Sequence, residues 1–161
     1  MKYSKIALLA CAAAATLVVA ASGDPADAAD FGPAASSPMA SARALIARKQ
    51  WGAAVAELKV INRPGDADWN NLMGYSLRKA ATPDDPTAER YFDAALRIDP
   101  HHRGALEDSG ELYLAAGDLL RARMRLSTLE RECAFGCAEY TALKDAVERY
   151  EADGSRQVAA H

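Results

Sequence analysis

The side chains best suited to chemistry in this chain of 161 residues are the Cys133/Cys137 pair, the adjacent His101 and His102, and Ser109. The two cysteines stand four apart, in Glu132-Cys133-Ala134-Phe135-Gly136-Cys137. On an unbroken helix that spacing holds Cβ atoms about 5–6 Å apart, whereas a disulfide needs about 3.5–4.5 Å. A bridge therefore requires the helix to break between them, and Gly136 is the residue that permits it. Cys133 would then end one helix and Cys137 would begin the next, closing a small loop worth about 2 kcal/mol on the chain-entropy model. Two packed thiols, or a redox or soft-metal site such as Cu(I), are the other readings of the pair. A thiolate at a helix N-terminus is favoured, but the Cys-x-x-Cys spacing of thiol oxidoreductases is absent. Neighbouring histidines point in different directions and chelate poorly alone, so His101-His102 reads as a solvated linker unless ligands arrive from elsewhere. Ser109 precedes Gly110, yet no Gly-x-Ser-x-Gly elbow surrounds it. Neither a phosphate-binding glycine loop nor a zinc-protease helix is present. The expectation is a protein with no catalytic residues, no metal ligands and no cofactor.

The overall balance narrows the partners. The formal net charge is −3 at pH 7, with 25% charged and 50% hydrophobic residues. Nucleic acid and anionic membrane surfaces both need a basic face, so neither is expected as the main partner. Much of the apolar share is alanine, which favours helices that approach closely around a thin core.

The N-terminus reads as an export signal. Lys2 and Lys5 precede an apolar run from Ile6 to Ala21, and Val19-Ala20-Ala21 places small residues before a cut near Ala21. The run is short for a membrane span of about 20 residues. Leu8-Leu9-Ala10-Cys11 offers a rival reading as a lipoprotein acylation site at Cys11, with too few apolar residues ahead of it. Residues 1–21 are thus expected to be a cleaved signal peptide, and 22–38, rich in Ala, Asp, Pro and Ser, a flexible linker. Export, most simply to a bacterial periplasm, suits a disulfide between the two remaining cysteines.

The elements that must position these residues repeat. Ala88, Phe92 and Ala95 have counterparts 34 residues earlier in Ala54, Leu58 and Ile61, and 34 later in Ala122, Leu126 and Leu129. Each triplet is the inward stripe of a helix. Arg63-Pro64-Gly65-Asp66 stops one helix, and Ala81 to Pro86 holds the start of another, with Asp85 as N-cap and Pro86 at the first position. Gly74 and Gly110 lie 36 apart while Ala88 and Ala122 lie 34 apart, so the turn between Leu77 and Ala88 carries two extra residues. After Glu132 the pattern stops. Tyr140, Leu143, Val147 and Tyr150 then form a single stripe, with Lys144, Asp145, Glu148 and Arg149 opposite, as a terminal cap needs. Residues 151–161 are expected to be a disordered tail.

This organisation resembles the tetratricopeptide repeat family, over about residues 39–150. Met73-Gly74 with Leu77, and Gly110 with Tyr113, stand where that family places Leu-Gly-x-x-Tyr, and Asp99-Pro100 closes the second copy in register. The resemblance implies an all-α helix-turn-helix solenoid of about three repeats (39–66, 67–102, 103–132) plus a capping helix (137–150). The ending Cys-x-x-x-Cys-x-x-Tyr-x-x-Leu is similar to small exported bacterial members. Such solenoids bind partners on the concave face of their first helices. Register places Arg43, Asn71, Tyr75, Arg78, Glu107, Glu111 and Leu114 near that face, the alternative for each being a solvated helix surface. Asn71 and Tyr75 stand where a carboxylate-gripping member has Lys and Asn, and Glu107 and Glu111 replace basic residues, so that clamp is not expected. The implied role is an exported adaptor for a protein or peptide segment. The runner-up is a periplasmic metal- or redox-handling protein using Cys133 and Cys137, and a third option is docking within a larger envelope complex.

Overall fold

A computed structural model of the chain describes residues 38–134 and 136–159, the last five as backbone only. Most of the expected linker, the expected leader, Cys11 and His161 lie outside the described residues. Among those described there are seven helices and no strand: α1 (Ala40–Ala47), α2 (Trp51–Ile61), α3 (Ala67–Lys79), α4 (Asp85–Ile98), α5 (Arg103–Ala115), α6 (Leu119–Glu132) and α7 (Ala138–Ala159). None of them is long and apolar enough to cross a membrane. The fold is all-α and solenoid-like, with each helix packed on its neighbours in sequence. The helices α1, α3, α5 and α7 also touch in succession, making one layer against α2, α4 and α6.

Helix boundaries follow local chemistry. Asp66 Oδ1 accepts from the Trp69 N–H at 3.1 Å, and Asp118 Oδ1 from the Arg121 N–H at 2.9 Å, each satisfying an orphan donor of a first turn. At α4 the cap is Asp84, not Asp85, because Asp84 Oδ1 lies 3.1 Å from the Thr87 N–H. Pro86 therefore sits one place further inside the first turn, where its missing N–H still costs nothing. The turn before α4 spans Ala80–Asp84, two residues more than Arg48–Gln50 or Ala116–Asp118, as the register required. Helix α7 also runs past Tyr150 to Ala159, where disorder was expected. Nothing crowds Gly154, so the helix carries it at a propensity cost of about 1 kcal/mol.

The repeating stripes form the core. Ala54, Leu58, Ala88, Phe92, Ala95, Ala122 and Leu129 are fully buried, with Ile61 and Leu126 partly so. Leu77 packs against both the cluster around Leu58 and Met73 and the cluster around Phe92 and Leu106, making the core continuous. Trp69 donates its indole N–H to the Leu58 carbonyl at 2.7 Å, tying α3 to the end of α2. Glycine sets the helix spacing. A Cβ on Gly74 would lie 2.7 Å from the Phe92 ring, and one on Gly110 would lie 2.5 Å from Leu143. Gly110 thus opens toward α7 rather than toward α6, its hairpin partner. The capping helix occupies the place that a further first helix would take.

Polar links between repeats span 32 or 33 residues, slightly less than the 34 that separates the core positions. Glu89 and Asp93 on α4 meet Arg121 and Arg125 on α6 at 2.6 and 3.3 Å. Arg78 on α3 meets Glu111 on α5 at 3.0 Å.

Candidate functional site

The layer of α1, α3, α5 and α7 carries all seven positions that register assigned to the concave face. Arg43 is set apart from the others. Its guanidinium pairs with Asp68 at 2.9 Å, and Asp68 also accepts from His102 Nε2 at 3.0 Å. His102 Nδ1 accepts from the Ala105 N–H at 3.1 Å, so Nε2 carries the ring proton. Partial burial works to raise the Asp68 pKa, but the His102 hydrogen bond and the Arg43 charge outweigh it and hold that carboxyl below its ordinary range. Arg43, Asp68 and His102 therefore form a strap from α1 through α3 to the N-cap of α5. His101 pairs instead with Glu132, at 2.8 Å. The histidines are thus not a free linker; each ties the α4–α5 turn to a different helix, a link that only the fold could reveal.

Asn71, Tyr75 and Arg78 on α3 face Glu107, Asp108 and Glu111 on α5. Tyr75 packs edge-on to Trp51, ring centres 5.7 Å apart, and carries the Lys79 ammonium 5.6 Å from its ring centre. Burial, then the charges of Asp108, Glu111 and Glu107, raise the Tyr75 phenol pKa. Burial is also the leading cause at the carboxyls. Glu107 is pushed up to about 7 by desolvation and by repulsion from Glu111 and Glu139, against Lys79. Asp108 is likewise pushed up to about 7 by desolvation and by Glu107 and Glu111, against Arg78 and a hydrogen bond from Asn71. Asn71 is not a solvated surface residue, since only 9% of it is exposed.

No protein-family model and no curated protein matches this chain.

Beside the carboxyl cluster, a cleft of about 330 Å³ opens between α5 and α7. Arg78, Glu111 and Leu114 line it with Ala115, Ala146, Arg149 and Tyr150. Sequence reasoning missed Asp108, although it lies one turn before Glu111. It also placed Arg149 on the polar far side of the cap, whereas this side chain reaches the cleft. Ser109 is fully buried, with its hydroxyl donating to the Ala105 carbonyl at 2.6 Å, an internal helix bond rather than a poised nucleophile.

The helix breaks between the cysteines as their spacing demanded. Cys133 caps α6, Gly136 has φ 82°, and Cys137 immediately precedes α7. The two sulfurs form a disulfide, with Cα atoms 5.6 Å apart. Cys137 Sγ accepts from the Tyr140 N–H at 3.4 Å, so the sulfur also serves the first turn of α7. Cys133 is buried in the core cluster that includes Leu129, Leu143 and Val147.

Proposed function

We propose that this chain is an exported adaptor of the tetratricopeptide type, which binds an extended protein or peptide segment across the face shared by α3, α5 and α7. The observation that carries this reading is the convergence of Tyr75, Arg78, Glu111 and Leu114 beside an open cleft, on the layer of first helices. An apolar wall with a few convergent polar groups is what a recognition groove requires. The disulfide pinning α7 fits an oxidising compartment such as the periplasm, and it holds the helix that forms one wall of the cleft. The test is selection from a displayed peptide library on the immobilised chain, repeated with the Tyr75→Ala/Glu111→Ala double variant. Selected peptides should lose binding to a variant that remains helical by circular dichroism. Peptides retained equally by both proteins would rule out this groove.

A redox role for Cys133 and Cys137 is the second reading. Its support is the Tyr140 N–H aimed at Cys137 Sγ, which would favour a thiolate there after reduction. A disulfide potential well below that of cellular dithiol reductants would mark the bond as purely structural.

A further inference from the structure

We infer that the notch between α3 and α5 seats a basic side chain, an ammonium or guanidinium, of the segment bound along the groove. The inference rests on the groove reading and specifies its chemistry. Glu107, Asp108 and Glu111 lie within two turns of α5, and Glu139 adds a fourth negative charge from the start of α7. The opposing cations are Arg78 and Lys79. Arg78 is committed to Glu111 at 3.0 Å, while Lys79 lies over the Tyr75 ring. That leaves Glu107 and Asp108 without an ion-pair partner among the described residues.

A second observation points the same way. Asn71 is more than nine-tenths buried, yet its Oδ1 has no hydrogen-bond partner among the described residues. Buried amide oxygens are seldom left so. The notch therefore holds two carboxylates without an ion-pair partner, beside a buried amide oxygen without a donor. An ammonium supplies three donors and a guanidinium five, each with a positive charge. The half-buried Tyr75 ring already faces one cation and offers the same attraction to another. A metal ion is the less suitable guest, because no group of three His, Cys, Asp or Glu side chains among the described residues converges as ligands would. The uncompensated charge is also part of what raises both carboxyl pKa values.

The probe is Nα-acetyl-lysine methylamide, titrated to about 20 mM into the ¹⁵N-labelled full chain at about pH 8, a range that detects millimolar binding. Nα-acetyl-norleucine methylamide and calcium chloride are the comparison arms. Saturable shifts are expected at the Asn71 side-chain amide and along Glu107–Glu111, absent with norleucine and weakened about tenfold in Glu107→Gln/Asp108→Asn. An Asp145→Asn variant on the outer face of α7 should respond as wild type. Equal response to norleucine, shifts unchanged in the double variant, tighter saturation by calcium, or no saturable shift at all would each overturn the inference. Failure here leaves the groove standing if displayed peptides without basic residues bind through Tyr75. Conversely, a specific lysine response with no selected peptide would retain the notch and remove the groove.

Discussion

Replacing Asp108 with asparagine should stabilise this protein above neutral pH, the opposite of what losing a carboxylate in an ion pair would do. In the folded chain, burial and the charges of Glu107 and Glu111 push the Asp108 carboxyl up to about 7 from its ordinary value of 3.8. The folded state then binds more protons than the unfolded state between those two values. Stability falls as pH rises through that window, and the full penalty is present above about 7. For an isolated group the difference corresponds to about 4 kcal/mol. Water at the edge of the groove and the repulsion left at Glu107 reduce the gain from one substitution to about 2 kcal/mol. In a domain of this size that raises the melting temperature by about 6–10 °C at pH 8, and the gap narrows to under about 1 kcal/mol at pH 5. Asparagine keeps the shape and removes the charge. Thermal unfolding of both proteins at pH 5 and pH 8, followed by circular dichroism, measures the difference directly. If Asp108→Asn is no more stable than wild type at pH 8, or gains equally at both pH values, the account of this cluster is wrong.

Gly74→Ala should destabilise despite alanine's better helix propensity. Its Cβ would meet the Phe92 ring at 2.7 Å and the Ala88 carbonyl at 3.0 Å, and overpacking of about 1–3 kcal/mol exceeds a propensity gain of about 1 kcal/mol. Urea unfolding checks the sign. Reduction of the disulfide, or Cys133→Ser/Cys137→Ser, should lower stability by about 2 kcal/mol and raise hydrogen exchange in α7 before the other helices. His102→Ala removes the cap of α5 and one partner of Asp68, for a loss of about 1–2 kcal/mol in thermal unfolding. His102→Asn, which can still cap, should recover part of that loss.

Much of the architecture was legible because a repeat imposes the same burial on equivalent positions. The Ala88, Phe92 and Ala95 stripe fixed the register, and that register located the longer turn before α4 and the stop at Glu132. Its limit is that burial says nothing about charge partners. Arg78 with Glu111, and His102 with Asp68, lie 33 and 34 residues apart, so periodicity put them in range but could not say which would pair. Asp108 was missed because one face of α5 was read from three positions, Glu107, Glu111 and Leu114, and the residue beside Glu107 was ignored. Asp84 capped α4 in place of its neighbour because two adjacent aspartates offer the same chemistry, and only backbone geometry chooses between them. The extension of α7 beyond Tyr150 left no trace, since a helix without an inward stripe has no periodicity to read.

The pairing of α4 with α6 has a consequence for how the stack is assembled. Helix α4 offers two carboxylates one turn apart, Glu89 and Asp93, and α6 offers two guanidiniums in the matching places, Arg121 and Arg125. At the equivalent places α2 has Val55 and Lys59. The three hairpins share the register of their inward stripes, yet their outer edges differ like unlike dominoes. A duplicated third hairpin would set arginine against arginine, and an exchange of the first two would leave α6 facing a valine and a lysine. Each such link is weak, about 1 kcal/mol or less, but in either misordered stack one attraction is lost and the other becomes cation against cation. The order of the hairpins is therefore marked on the surface as well as in the core.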